Sequence, residues 1–222
     1  MDFFFQSVTQ QALDRATGVI PDLESYIALR RDTSGCKPCW ALIECKLFSA
    51  SVHRLILTKC RCPDAGNLDI PDEVMEHPLI CSLGEAANDL VTWSNVSVPF
   101  FQLSIFFQVS IQDIFSFNVE QSKGDTHNMI PVVMHQEGVD LQTAVDFVGN
   151  MCKQSIDRFN EDRARLPSWG PEIDRDVAIY VDGLANWIVG SLHWSFETER
   201  YFGKNGHQVK ATRTVEIMPL RA

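Results

Sequence analysis

Two long stretches of helical periodicity, Leu141 to about Leu166 and Glu172 to about Phe202, dominate what this chain can fold into. In the first, Ala144, Phe147, Val148, Met151 and Ile156 recur at helical spacing until Pro167 approaches. In the second, Val177, Tyr180, Val181, Leu184, Trp187, Ile188 and Leu192 share one broad face. A helix with one apolar face is stable only when that face is covered by another element. Further helices are indicated from Asp2 to Ala16, closed by Thr17-Gly18, and from Pro21-Asp22 onward, where a proline and acids open PDLESYIALRR. Strand patterning is scarce and no internal repeat is present, so the expected class is all-α, a helical bundle filling residues 1–222. From Gly203 to residue 222 the text reads as a basic, loop-like, mobile tail.

The 222 residues, 45% of them hydrophobic, suffice for one sizeable core. A net charge of -10 argues against nucleic acid as a partner, because a nucleic-acid binder presents a basic face. Seven cysteines, an odd number, and a start (MDFFF) without the basic region of a secretory signal predict reduced thiols and a cytoplasmic protein.

Two segments break the pattern. Val96–Gln112 carries no formal charge across seventeen residues. It lies at the lower limit for a membrane span, contains Pro99, Gln102 and Gln108, and has no basic flank, so stable membrane insertion is not expected. The second, about residues 45–64, is basic within an acidic chain and holds Cys45, Cys60 and Cys62. Cys36-x-x-Cys39 together with Cys60-x-Cys62 would supply four thiolates for a zinc ion, but Cys39 runs directly into the helical text WALIE.

Downstream of the uncharged run, DIFSFNVEQSKGD places Ser116 and Glu120 four residues apart on one helical face. Gln112 stands one turn earlier. If Val96–Gln112 is removed, Asn95 takes that place and the text becomes NDIFSFNVE. Asn95, Ser116 and Glu120 then form a row of hard oxygen ligands suited to Mg2+. The nearby Asn88-Asp89 with Thr92 begins the same pattern, but Val96 stands where its glutamate would be.

The joined string resembles the NSE metal motif of class I terpene synthases, and the wider text SNDIFSFNVEQSKGDTHNMI is similar to that of fungal sesquiterpene synthases. The resemblance implies part of a class I terpenoid synthase α-helical bundle. It further implies Mg2+-dependent ionisation of farnesyl diphosphate, followed by carbocation cyclisation. Asn95, Ser116 and Glu120 become the implied metal ligands. Lys123 and the RY pair Arg200-Tyr201 become implied contacts of the substrate diphosphate; Arg31, with Arg30 as an alternative, and Gly35 correspond to the diphosphate-sensing arginine and the effector glycine. Trp187, Trp194 and Phe5 are candidates for an aromatic cavity wall, or plain core. An aspartate-rich motif, which the family carries in its N-terminal half, is missing; Asp69-Ile70-Pro71-Asp72-Glu73 imitates it, but Pro71 makes this a helix start. The resemblance therefore covers the C-terminal half of a typical member. A split ligand set and a missing metal motif imply impaired activity, with a catalytically inactive helical fragment or interaction module, retaining some diphosphate affinity, as the alternative. Were Val96–Gln112 helical, Asn95 would lie roughly 25 Å from Ser116, at about 1.5 Å per residue, leaving Gln112 as a poor substitute ligand.

Both odd segments read as introns translated in frame, since Val96-Ser97 and Gln112 allow splice-site codons and the residues between allow pyrimidine-rich ones. Sequencing of the full-length transcript checks this: the reading expects messages lacking the codons for Val96–Gln112. A transcript population that always contains them overturns it.

Overall fold

The computed structural model describes residues 2–44, 68–93, 95–96, 109–110 and 112–221. The segment at about 45–64 and most of 96–112 lie outside these residues. Helix α1 spans Asp2–Thr17, α2 Leu23–Thr33 and α3 Cys36–Glu44. A single turn, α4 (Asp72–Met75), follows Pro71, as the proline predicts, and α5 runs from Pro78 to Trp93. Then come α6 (Gln112–Gln121), α7 (Met129–Glu137), α8 (Leu141–Ala164) and α9 (Pro171–Glu197). The short α10 (Glu199–Phe202), a 3-10 turn at Gly203–Asn205 and α11 (Gly206–Thr212) complete the order.

Local chemistry sets these boundaries. Asp22, Asn128 and Asp140 each accept a hydrogen bond from a first-turn backbone N–H, starting α2, α7 and α8 respectively. The Asp22 and Asp140 carboxyls are held below the usual carboxylate range by these bonds, from Ser25 and Thr143. Pro171 occupies the first turn of α9. Gly138, at φ 65°, ends α7 in the left-handed conformation that a side chain disfavours.

Packing centres on α5, which lies against α8 and α9, while α7 packs on α8 and α2 contacts α1, α5 and α7. Leu83, Leu90, Val132, Val148, Leu184 and Ile188 are almost completely buried in this core. Each such side chain contributes about 1.5–3 kcal/mol by leaving water. A smaller aromatic cluster of Phe115, Leu192, Phe196 and Tyr201 joins α6, α9 and α10.

The all-α expectation and both long helices hold, with five corrections in detail. The second periodic stretch does not run unbroken to Phe202. Thr198 adopts an extended conformation and accepts a hydrogen bond from the Arg200 N–H, so Arg200 and Tyr201 sit on a separate turn. Phe147 points outward; the buried line of α8 is Ala144, Val148, Cys152 and Phe159. Phe5 and Trp194, candidates for a cavity wall or core, are exposed at 61% and 49%. The expected tail after Gly203 contains α11, seated so closely that a Cβ on Gly206 would stand 2.0 Å from the Phe196 carbonyl oxygen. The chain around the uncharged segment also departs from the helical extrapolation: Asn95-Val96 pairs antiparallel with Val109-Ser110, Asn95 opposite Ser110. Antiparallel partners lie about 4.5–5.5 Å apart between Cα atoms, so the ends of the segment meet rather than separate.

Among the described residues, no helix is long and apolar enough to cross a membrane.

Candidate functional site

The Ser116–Glu120 pair lies on α6, which is held from three sides. From α7, Asn128 points its side-chain amide at the helix. Its Oδ1 accepts from the Ile130 N–H at 2.9 Å, which fixes the direction of the Nδ2 group. That nitrogen donates to the Asp113 carbonyl oxygen (2.7 Å), Ser116 Oγ (3.3 Å) and Glu120 Oε2 (2.9 Å). Three oxygens thus converge on one NH2 group and share its two hydrogens. Burial pushes the Glu120 carboxyl above its ordinary range, and the hydrogen bond from Asn128 opposes that rise.

From α2 comes a buried charge. The Asp113 side chain accepts from the Tyr26 hydroxyl at 2.9 Å and from Arg30 Nη2 at 2.9 Å. Its exposure is 3% and that of Arg30 is 16%. Burial works to lower the basicity of the Arg30 guanidinium, yet Asp113, together with Tyr26 and Glu120, more than offsets this and the group stays firmly charged. Burial, and then the Asp113 carboxylate, push the Tyr26 phenol well above its usual value. From α9 and α10, aromatic rings close the third side: Phe115 meets Phe196 at 5.0 Å, Phe202 at 4.8 Å and Tyr201 at 6.1 Å between centroids.

The remaining residues singled out in the sequence separate into distinct places. Arg31 forms a two-pronged pair with the buried Asp89, Nε and Nη2 each at 2.7 Å. It also reaches Glu85 at 3.2 Å, and Arg158 shares Asp89 at 2.9 Å. The Asn88-Asp89-Thr92 text that imitates a metal motif is therefore structural: Asp89 grips Arg31, and Asn88 donates to the Arg31 carbonyl oxygen at 2.8 Å. Gly35, at φ 73°, makes the break between α2 and α3. Tyr201 is buried and Arg200 exposed, its guanidinium 5.5 Å from the Tyr201 ring centre. Lys123 is exposed in the turn after α6. The backbone of Asn95 lies in the two-residue ladder described above; its side chain lies outside the described atoms. Of the proposed zinc thiols, Cys36 and Cys39 begin α3, and Cys60 and Cys62 lie outside the described residues.

The donor chemistry fits a hard cation. Ser116 Oγ and Glu120 Oε2 face one point, at the start and end of one helical turn, where a donor of positive character already sits. Among the described residues no group of three His, Cys, Asp or Glu side chains would hold a metal, so a cation here would rest on the Ser116 hydroxyl and the Glu120 carboxylate and would take the place of the Asn128 amide. A cleft between α8 and α9, lined by Leu166, Trp169, Val177 and Val181 among others, includes none of these residues.

Asp113, Tyr26 and Asn128 carry much of this arrangement without having been singled out by sequence. Asn128 had a visible signal, a polar cap before the apolar run MIPVV. Asp113 is charged and sits at the head of α6, but nothing local shows that its partners are 83 and 87 residues away.

Residues 1–158 match the family model described as "Terpene synthase family 2, C-terminal metal binding". The chain belongs to the terpene synthase family. It is 69% identical to sesquiterpene synthase Agr1 of Cyclocybe aegerita over 98% of this chain and 53% of that one. It is 63% identical to sesquiterpene synthase 1 of Postia placenta, over 100% of this chain and 55% of the relative. The chain thus spans about half the length of the relatives it matches. Among solved structures, germacradien-4-ol synthase from Streptomyces citricolor superposes with a TM-score of 0.58 at 26% identity, covering 82% of this chain and 49% of that enzyme.

Replacing Asp113 by asparagine leaves the Arg30 charge buried without its partner, and should lower unfolding stability by about 3–5 kcal/mol. The double variant Asp113→Asn/Arg30→Met should recover most of the loss in urea denaturation. A single-variant loss below about 1 kcal/mol, the size of an ordinary substitution, contradicts the assignment.

Proposed function

We propose that this chain is the metal- and diphosphate-binding part of a class I sesquiterpene synthase that acts on farnesyl diphosphate with Mg2+. The observation that supports this most directly is the convergence of Ser116 and Glu120 on one point beside the firmly charged Arg30. Ser116 and Glu120 would hold the cation, with Asn95 as a third ligand. Bound there, Mg2+ would supply positive charge to the diphosphate leaving group as the allylic C–O bond breaks.

The chain's own residues prepare that site. Asp113, itself held by the Tyr26 hydroxyl, keeps Arg30 in one orientation, so no side-chain reorganisation is required when an anion arrives. Arg200 is exposed, and its planar fork suits phosphate oxygens. Tyr201 is anchored by Phe115, which ties the turn bearing Arg200 to the helix bearing the metal ligands. Lys123, three residues past Glu120, is exposed and would add a further cation for the diphosphate.

A second reading, a helical fragment that binds diphosphate without turnover, has its own support. Arg31 is already neutralised by Asp89 and Glu85.

Calorimetric titration with inorganic pyrophosphate tests the shared core of both readings. Binding should require Mg2+ and weaken at least tenfold, about 1.4 kcal/mol, in Glu120→Ala. Binding indifferent to Mg2+ and to Glu120→Ala overturns the proposal. Incubation with farnesyl diphosphate and Mg2+ then separates the readings: sesquiterpene hydrocarbon in the headspace establishes turnover, and its absence with intact pyrophosphate binding establishes the fragment.

A further inference from the structure

The helix that carries Ser116 and Glu120 is gripped from behind by a segment that neither the family assignment nor the site chemistry uses. Beyond α11, Arg213 adopts φ 61°, in the left-handed region that non-glycine residues rarely occupy, and turns the chain back toward α6. Residues 216–221 then run along that helix. Asn118 meets them with both ends of its amide: Nδ2 donates to the Glu216 carbonyl oxygen and Oδ1 accepts from the Met218 N–H, each at 2.8 Å. Gln121 Nε2 donates to the Met218 carbonyl oxygen at 2.7 Å, and the Arg221 N–H donates to the Ser122 carbonyl oxygen at 2.7 Å. Residues 118, 121 and 122 are spaced three and four apart and form one face. At about 100° per residue, position 118 lies roughly 160° around the helix from both 116 and 120. The segment is therefore a strap on the side of α6 opposite the ligand pair.

Hydrogen bonds rather than apolar burial hold the strap. Val215, Ile217 and Leu220 are exposed at 38%, 53% and 72%, whereas Asn118 is buried at 7%. A buried amide on a helix has no reason to face outward unless something pairs with it, and here the paired groups are backbone amides of the strap. The helix needs such lateral support, because residues 94–111 separate it from α5 and its ten residues are too few to persist alone.

We infer that residues 216–221 set the register of α6, and that Asn118 and Gln121 are positioning residues acting through the helix on Ser116 and Glu120. The functional side of this inference rests on the metal-site reading above; the positioning itself does not. Pinning the outer face keeps the inner face opposite Asn128, so that Glu120 and Ser116 stay at hydrogen-bond distance from its Nδ2. Loss of the strap lets α6 rotate or fray, and the donors lose their common point while the α5, α8 and α9 core stays intact.

Two variants of the full chain test this: a stop after Thr214, which removes the strap without touching α6, and Asn118→Leu, which keeps the strap but removes its main clasp. The first readout needs no metal. The side-chain amide protons of Asn128, followed by NMR, should exchange about tenfold faster in both variants, the effect of losing one or two hydrogen bonds, with the global urea transition retained. The second is Mn2+ affinity by electron paramagnetic resonance, which should fall by a similar factor. Unchanged Asn128 protection in the truncated chain overturns the inference whatever Mn2+ does. Faster Asn128 exchange with unchanged Mn2+ affinity overturns the link to the metal ligands. If the parent chain takes up no Mn2+ while Asn128 exchange accelerates in the variants, the metal-site reading fails and the strap's positioning role stands.

Discussion

The buried carboxylate of Asp113 is the interaction on which the site depends. It joins the head of α6 to α2 through Arg30 and Tyr26, across 83 and 87 residues of sequence. A buried ion pair adds little net stability over apolar packing of the same volume, but it penalises every arrangement that separates its members. Here such an arrangement would slide or rotate α6. The pair therefore pins the head of α6, and Asn128, the aromatic rings around Phe115 and the strap at 216–221 complete the restraint along the rest of the helix.

This explains how α6 can present Ser116 and Glu120 in one direction although it is short and separated from α5. The pairing of Asn95 with Ser110 brings the two ends of the intervening segment together at the start of α6. Arg31 and Arg30 divide the work between two neighbouring positions on α2. Arg31 is committed to Asp89 and fastens α2 to α5, while Arg30 faces the metal-motif helix. Adjacent residues of a helix point about 100° apart, so two identical side chains can serve two different neighbours.

Much of the architecture was legible because it follows from local pattern. Val177, Val181, Leu184 and Ile188 repeat at the helical period and are buried, and Pro21-Asp22 opens α2 as its chemistry requires. The Ser116–Glu120 pair was visible for the same reason. What local pattern misses is chosen by distant partners. Phe147 fits the apolar periodicity of α8 yet faces solvent, and the Asn88-Asp89-Thr92 text imitates a metal motif but serves to hold Arg31. Gly203 onward looked like a loop because its charges hide two anchors: Gly206, which fits beneath the Phe196 carbonyl, and Val209, which packs on the aromatic cluster.

The central claim is that Ser116 and Glu120 form a cation site whose place is held by the Asn128 amide. Crystals of this chain grown with Mn2+ and pyrophosphate test it most directly, because Mn2+ is located by its anomalous scattering. The account predicts an anomalous peak bonded to Ser116 Oγ and Glu120 Oε2, with the Asn128 amide displaced from Glu120. A Mn2+ peak elsewhere, with the Asn128–Glu120 hydrogen bond unbroken, would contradict it.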